Sequence, residues 1–213
     1  MSKGFDRLTE KIKEGIAKAL EDKGKRNFLQ TVELIVNLKG IDFSKPENKI
    51  NIEAVLKEKG NKNEVVLIAE KEKVYEIKEK YKDVKVFTLE EIEKFDKKEM
   101  KKLLKKNTIV YCSPKVIGNV AKLYGKVFAS RGKNLKPLLE EKQLNMAKDT
   151  VLIRTRGKTS SNLQVPIGKE NFNIDMLTEN ALIVLDSIKK VVNESNIKSI
   201  YVKLTMGKPV KIA

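Results

Sequence analysis

Val65-Val-Leu-Ile-Ala69 is apolar at every position, which is typical of a strand buried on both faces of a parallel sheet. Two further candidate strands follow, Val84-Lys-Val-Phe87 and Thr108-Ile-Val-Tyr-Cys112, and helical stretches separate the three. Strands that alternate with helices through short links form layered domains. We therefore predict a Rossmann-like βαβ domain of three layers over residues 64–147.

Two helix starts can be predicted within this segment. Thr88-Leu-Glu-Glu91 has the spacing of a capping box, in which the first and last side chains bond each other's backbone N–H groups. Ser113-Pro114 predicts an N-cap and a first-turn proline for a helix that runs through Leu123.

The flanking segments show a different pattern. Thr31-Val-Glu-Leu-Ile-Val-Asn-Leu38 alternates between apolar and polar residues, which predicts a half-buried strand. Residues 50–56 alternate again and predict a second strand, which could pair antiparallel with the first. Residues 151–155 and 163–167 predict a hairpin, and residues 199–204 a closing strand.

Each flank also contains one amphipathic helix, the first over residues 5–19 and the second starting at an Asn173 N-cap. Neither flank is a complete domain, but the two together make one α+β sheet domain. We therefore predict an α/β protein with a split α+β domain, residues 1–63 plus 148–213, into which residues 64–147 are inserted. The two chain crossings between the domains would form a two-strand hinge.

Composition excludes several classes of protein. The chain has no histidine, so Ser-His-Asp and Cys-His catalytic pairs and histidine-containing zinc sites are excluded. A single cysteine, Cys112, cannot form an intramolecular disulfide, which suits a reducing cytoplasm. The apolar runs are too short to span a membrane, and the N-terminal residues do not resemble a signal peptide. We expect a soluble, cytoplasmic protein.

The charge balance favours a nucleic-acid partner. Lys and Arg number 45 against 29 Asp and Glu, which leaves a formal net charge of +16 on 213 residues. A solvated Lys/Glu surface, as in proteins from hot environments, is the alternative interpretation. An excess of this size exceeds what solubility requires and indicates binding to a polyanion. Both predicted domains are basic, so charge alone does not choose between them.

No enzyme signature is present. Gly125 to Asn134 contains Gly-Lys, but the spacing of a P-loop is wrong and Asn134 replaces the Ser or Thr that would hold magnesium. No glycine-rich dinucleotide motif follows Ala69. Cys112 ends an apolar strand and is interpreted as a small core residue. We therefore predict a protein without catalytic residues, metal or cofactor.

Three short stretches combine residue types that suit RNA. Lys25-Arg-Asn-Phe-Leu-Gln-Thr31 and Thr205-Met-Gly-Lys-Pro209 place hydroxyl groups, apolar side chains and a glycine at strand ends. Hydroxyls can bond ribose 2′-OH groups, and Met or Phe can contact ribose or base. Ser130-Arg-Gly-Lys133 is a basic turn, either a phosphate contact or a plain solvated turn.

Together with other stretches, these motifs carry a family resemblance. The sequence resembles the L-one family of large-subunit ribosomal proteins, in its archaeal form, from about Gly24 to Val210. The resemblance rests on Arg26-Asn-Phe-Leu-Gln-Thr-Val-Glu33, Ile41-Asp-Phe-Ser-Lys-Pro-Glu-Asn48, Ser130-Arg-Gly-Lys133, Pro166-Ile-Gly-Lys169 and Tyr201-Val-Lys-Leu-Thr-Met-Gly207.

The resemblance implies a structural protein of the large ribosomal subunit that binds a structured stem-loop of large-subunit rRNA. It further implies the mobile stalk beside the tRNA exit site, where deacylated tRNA would be a partner, and repression of translation through the protein's own mRNA. Away from the ribosome, a monomer is expected.

The resemblance also implies the residues that contact RNA. In the split domain these are Arg26, Phe28, Thr31, Lys158, Ser199, Thr205, Met206 and Gly207. In the inserted domain an accessory contact would use Arg131, Gly132 and Lys133. The sequence departs from the family pattern at Asn134-Leu-Lys136, where relatives usually have Met-Pro, and at Gly157, where they often have Asp.

Two other functions remain as alternatives. A non-specific nucleic-acid chaperone would use the same charge without preferring an rRNA stem-loop. The second alternative is an enzyme that binds a nucleotide in the inserted domain. The missing glycine-rich loops argue against this alternative.

Overall fold

A computed structural model describes residues 2–105, 107–157 and 160–213, with side chains from residue 6 onward. The helices are α1 (Ser2–Leu20), α2 (Lys71–Lys80), α3 (Leu89–Glu93), α4 (Lys97–Leu103), α5 (Ile117–Ser130), α6 (Lys142–Lys148) and α7 (Ile174–Lys189). The strands are β1 (Thr31–Leu38), β2 (Asn51–Val55), β3 (Glu64–Ala69), β4 (Val84–Thr88), β5 (Thr108–Cys112), β6 (Leu135–Pro137), β7 (Thr150–Arg154), β8 (Asn162–Lys169), β9 (Ile197–Leu204) and β10 (Val210–Lys211).

The chain forms two compact units. The split unit combines the residues up to Asn61 with Asp149–Ala213, and the inserted unit is Lys62–Lys148. None of the helices in the described ranges is long and apolar enough to cross a membrane.

The split unit is built on an antiparallel sheet with the strand order β10-β9-β1-β8. The even-numbered side chains of β1 (Val32, Leu34, Val36 and Leu38) are buried, as the alternation predicts. Helices α1 and α7 cover this face, because their apolar side chains belong to the same core cluster. The opposite face carries half-buried side chains, among them Glu33 and Ile35.

Two predicted strand pairings are wrong. β2 pairs with β7 in a separate two-stranded sheet and not with β1, and β7 and β8 do not form a hairpin ladder. Both edges of β1 are occupied, one by β8 and one by β9. Alternation tells which face of a strand is buried, but it does not identify the neighbouring strand. Nearness in sequence was therefore a poor guide here.

The inserted unit is a parallel sheet with the strand order β4-β3-β5-β6. Alternate residues of β3 enter two different core clusters, one on each face of the sheet. α2 and α6 supply apolar side chains to one cluster, and α3, α4 and α5 supply them to the other. The prediction of a strand buried on both faces and of three layers is confirmed.

The helix starts are confirmed in one case and wrong in the other. Both hydrogen bonds of the Thr88–Glu91 capping box are present, at 3.2 and 2.8 Å. α5, however, begins at Ile117 and ends at Ser130, later at both ends than predicted. The residue at the N-cap position is Val116, which has no side chain that can cap, and the Ser113 hydroxyl instead donates to Glu70 Oε1 at 2.9 Å.

Candidate nucleic-acid interface

The two threonines of the predicted site meet at one end of the antiparallel sheet. Thr31 opens β1, and Thr205 directly follows β9, the neighbouring strand. Thr205 N donates to Thr31 O at 3.0 Å, and Thr31 N donates to the Thr205 hydroxyl oxygen at 3.1 Å. The structure therefore brings together two hydroxyl groups that lie 174 residues apart in the chain.

Thr205, Met206 and Gly207 form an exposed turn, called the Thr205–Gly207 turn below. Gly207 N donates to Leu204 O at 3.0 Å and closes the turn. A Cβ on Gly207 would lie 3.1 Å from Leu204 Cβ, so a larger residue would require a shift there. The Met206 side chain is 59% exposed. The turn thus presents a flexible apolar group beside a backbone with no side chain in the way.

A buried glutamine supports this turn from beneath. Gln30 Oε1 accepts a hydrogen bond from Met206 N at 3.1 Å, and Gln30 Nε2 donates to Glu170 Oε2 at 3.2 Å. Gln30 and Glu170 are both buried. One side chain therefore connects the start of β1, the turn after β9 and the residue that follows β8.

A lysine completes the connection between the strand ends. Lys169 Nζ donates to the Thr31 hydroxyl oxygen at 3.1 Å. Sequence reasoning missed Gln30, Lys169 and Glu170 as contributors, because the pairs that involve them join residues 138–176 positions apart. The one available signal was a polar residue, Gln30, between an apolar pair and a strand.

Exposed apolar side chains directly precede Gln30 in the sequence. Phe28 is 52% exposed and Leu29 is 48% exposed, and both directly precede Gln30. Large apolar side chains on a surface commonly mark a binding site when they cluster. An exposed aromatic ring and a thioether suit stacking on a base or contact with a ribose.

Positive charge surrounds the same end of the sheet. Asp22 has a pKa below its usual value, first because Lys25 Nζ donates to its carboxylate at 2.5 Å, and further because Lys208 and Arg26 lie nearby. Arg26 and Lys208 thus both act on Asp22, and Lys208 directly follows the Thr205–Gly207 turn. The neighbourhood of the turn favours an anionic partner.

Ser199 lies away from the turn. It pairs with Asn37, at the opposite end of β9 from Thr205, roughly 20 Å away at the rise of a strand. Asn37 Nδ2 donates to the Ser199 hydroxyl oxygen at 3.1 Å, and Ser199 is only 8% exposed. By alternation, Ser199 lies on the same sheet face as Thr31 and Thr205, but it is buried there, and the structure does not bring it together with the turn.

The accessory residues belong to the inserted unit. Arg131 and Gly132 form an exposed turn after α5, and Gly132 has the left-handed φ of +60° that favours glycine. Lys133 Nζ donates to Thr108 O at 2.8 Å, so this ammonium has a structural partner. The departure from the family pattern at residues 134–136 leads into β6, where Leu135 pairs with Val110.

Lys158 lies outside the described residues. Gly157 has a φ of +75°, a left-handed conformation that favours glycine.

Cys112 is fully buried in the core of the inserted unit, as predicted. Burial raises the pKa of its thiol to about 12. The group is therefore a thiol at neutral pH, whereas a nucleophile requires the thiolate.

Comparison with known proteins gives consistent matches over nearly the whole chain. The large ribosomal subunit protein uL1 of Thermofilum pendens is 35% identical, over 97% of this chain and 92% of that protein. The uL1 proteins of Archaeoglobus fulgidus and Thermococcus kodakarensis are 33% and 34% identical, over 95% and 98% of this chain and 97% and 98% of theirs. The ribosomal protein L1p/L10e family matches residues 17–208. With a match of this extent and a hydroxyl-rich, basic surface at the sheet end, the chain belongs to the ribosomal protein L1p/L10e family.

Proposed function

We propose that this chain is a structural protein of the large ribosomal subunit that binds a structured stem-loop of large-subunit rRNA through the Thr205–Gly207 turn. The observation that carries the proposal is the meeting of Thr31, Thr205 and Met206 at one sheet end, where the buried Gln30 side chain accepts a hydrogen bond from Met206 N. The relatives' name, large ribosomal subunit protein uL1, supports the ribosomal setting.

The two hydroxyls are suited to donate to RNA. A threonine hydroxyl has one proton and two acceptor lone pairs. Thr31 accepts from Lys169 and Thr205 accepts from Thr31 N, so each oxygen is held by one accepted hydrogen bond. The hydroxyl proton of each can then point to a ribose 2′-OH or a phosphate oxygen. The Thr205 proton has a weaker alternative in Thr31 O, 3.3 Å away.

The apolar and basic groups would supply the remaining recognition. Phe28 and Met206 would contact a base or ribose, and Gly207 would let the sugar-phosphate chain approach the backbone. Arg26 and Lys208 would add affinity that does not depend on sequence. Specificity would then come from RNA shape and 2′-OH contacts.

The cellular roles follow from this proposal. A protein that reads one rRNA fold can bind a similar fold in its own mRNA and repress translation. In the ribosome, the protein would form the mobile stalk beside the tRNA exit site, with deacylated tRNA as a neighbour, and away from the ribosome it would be a cytoplasmic monomer. The resemblance noted in the sequence supports these roles.

We further propose that the units are separate domains joined by a hinge at the two chain crossings. Leu56 N donates to Asp149 O at 3.0 Å within the split unit, and Asn63 N donates to Lys148 O at 2.9 Å within the inserted unit. Between these bonds the crossings consist of a few residues on one side and a single peptide link on the other. Short, paired crossings favour bending about one axis.

Crosslinking in cell extract, followed by sequencing of the bound RNA, tests the proposed function. One enriched segment of large-subunit rRNA is expected, together with a segment of similar fold in the protein's own mRNA. RNA spread evenly over all transcripts would contradict the proposal and favour a non-specific chaperone. Retention of a nucleotide in equilibrium dialysis would favour the enzyme alternative.

A further inference from the structure

A second basic surface lies on the inserted unit, far in sequence from the Thr205–Gly207 turn. α4 carries Lys97, Lys98, Lys101 and Lys102, and all four side chains are exposed. At 100° per residue they fall on one continuous arc of the helix, while Met100 and Leu104 point into the core. We call these four residues the α4 lysine cluster.

Among the described residues, no acid forms an ion pair with this cluster. The only acid of α4, Glu99, accepts from Asp96 N at 2.9 Å, and Asp96 accepts from Glu99 N at 2.6 Å. Both carboxylates are therefore engaged in the capping box at the start of the helix.

The acids also lie on a different side of the helix from the lysines. Tyr124 of α5 has a pKa above its usual value, first through burial and then through the negative charges of Asp96, Glu99 and Glu93. These carboxylates are thus near enough to the Tyr124 hydroxyl of α5 to act on it electrostatically. The charges of α4 are therefore segregated, with the four lysines on one exposed arc and Glu99 outside that arc.

Segregation of this kind works against helix stability. Lys97 and Lys101, and likewise Lys98 and Lys102, are like charges at i,i+4, and each such pair destabilises a helix. Lys101 and Lys102 gain from the helix dipole because they lie in the last turn, but Lys97 and Lys98 do not. Because this arrangement of lysines lowers the stability of the helix, it points to a role in binding an anionic partner.

α2, in the same unit, has an equal number of lysines in a different arrangement. Its lysines (Lys71, Lys73, Lys78 and Lys80) alternate with three glutamates. Lys80 pairs with Glu76 at 2.8 Å, and Lys71 pairs with Glu90 at 2.9 Å. α2 therefore shows the ordinary ion-paired surface that α4 lacks, and it provides a matched control.

The cluster is presented by a fixed backbone. The Tyr124 hydroxyl lies within hydrogen-bonding distance of Ile92 O, at 2.9 Å, and of Phe95 O at the connection between α3 and α4. The Phe95 ring packs edge-on against Phe87, with 5.5 Å between the ring centres. Ordered charges lose less entropy on binding than charges on a mobile loop.

We propose that the α4 lysine cluster binds the phosphate backbone of RNA, independently of the Thr205–Gly207 turn. Lysine ammonium groups are point charges that bind phosphates without reading bases. A protein partner fits less well, because protein interfaces are depleted in lysine and centre on aromatic, Met or Arg side chains, none of which is in the cluster. The ligand class is therefore RNA of any sequence.

Two variants of the full chain with equal charge change test this proposal. In one, Lys97→Gln, Lys98→Gln, Lys101→Gln and Lys102→Gln are combined; in the other, Lys71→Gln, Lys73→Gln, Lys78→Gln and Lys80→Gln. Binding of a short unstructured single-stranded RNA is measured by fluorescence anisotropy over a range of salt concentrations. Each phosphate contact contributes about 0.7 to the slope of log K against log salt. The α4 variant should lose up to about 3 in slope, and the α2 variant much less.

Folding controls and competitors make the result decisive. The α4 variant should melt at the same or a higher temperature than the wild type, because repelling pairs are removed. Equal losses in both variants would overturn the proposal, since net charge would then explain the binding. Competition by polyglutamate as strong as that by RNA would also overturn it. The probe has no stem-loop, so failure of the rRNA proposal would leave this result unaffected.

Discussion

The Thr205 hydroxyl oxygen accepts a hydrogen bond from Thr31 N of β1, and its proton can be donated to RNA. Thr205 is therefore the first residue to test. Thr205→Ala removes one hydroxyl contact and should lower rRNA stem-loop affinity by about two- to tenfold, that is about 0.5–1.5 kcal/mol. Met206→Asp should lower it more, because a carboxylate would face phosphate. Affinities are compared at matched salt with Met146→Asp as control, since Met146 is similarly exposed on α6. Wild-type affinity in both turn variants would exclude the turn as the binding site.

Gln30 should affect the affinity for RNA indirectly, because it holds the backbone of Met206 in place. Gln30→Met removes the acceptor for Met206 N and the donor to Glu170, so two polar groups lose their partner in a buried place. A group orphaned in this way costs about 1–3 kcal/mol, which a urea titration would measure. Affinity for the stem-loop should fall as well, and the loss should shrink when Met206→Ala is already present. Additive losses in the double variant would mean that Gln30 supports the fold alone.

Cys112 should resist thiol reagents in the folded protein. Its thiol pKa is raised by burial from about 9.0 to about 12, so thiolate is scarce at pH 8. The folded state holds this proton more tightly than the unfolded state, so the thiol contributes stability at neutral pH. That contribution is lost as pH rises from about 9 towards 12. Reaction with a disulfide reagent should be complete only in denaturant, and rapid native reaction would contradict the burial.

At the scale of elements, periodicity predicted where strands and helices lie but not how strands pair. The alternation of β1 and the uniformly apolar β3 gave their positions and their buried faces, because burial leaves a direct pattern in sequence. Pairing left no such pattern, so β2 was assigned to β1 although it pairs with β7. α5 was misplaced because the sequence favoured a Ser113 cap, whereas the helix begins at Ile117 after Val116, which provides no side-chain cap.

The same limit applies to the candidate site. Thr31 and Thr205 were found through residue type and family resemblance, and membership in the family confirms that resemblance and agrees with a protein that is not an enzyme. Gln30 and Glu170 were missed, because their role depends on contacts between distant segments. Motifs identify candidate groups at the surface, whereas the residues that support them from behind carry no local signal.

The N-cap of α7 offers a test of element stability. Asn173 Oδ1 accepts from Met176 N at 2.7 Å, and α7 packs against the core of the split unit. Asn173→Ala should lower the free energy of unfolding by about 0.5–2 kcal/mol, while Asn173→Asp, which keeps the acceptor, should lower it little. Urea denaturation followed by circular dichroism measures both. An equal loss in both variants would mean that the hydrogen bond accepted by Asn173 Oδ1 does not stabilise the helix.

At the scale of the whole molecule, the split unit should fold without the insertion. A chain in which Asn61 is joined to Asp149 by a short linker keeps one complete apolar core. Lys59 N already donates to Asp149 Oδ1 at 2.8 Å, so the cut ends are close. Stem-loop affinity should fall modestly and its salt dependence should weaken, because basic residues are removed. A folded product that binds the stem-loop and a random duplex equally would assign recognition to the insertion.

The strand order also has a consequence for how the chain is made. β1 lies between β8 and β9, and its residue Asn37 pairs with Ser199, 162 positions later. At a synthesis rate of about 5–20 residues per second, β1 emerges about 8–30 s before that neighbour exists. The parallel sheet of the inserted unit is contiguous and finished in the meantime. β8 covers one edge of β1 earlier, because Asn162, which pairs with Asn37, is made 125 positions later. A nascent chain therefore holds β1 with both hydrogen-bonding edges open until β8 exists and with one edge open until β9 follows. A chaperone that binds extended apolar segments would have its target there.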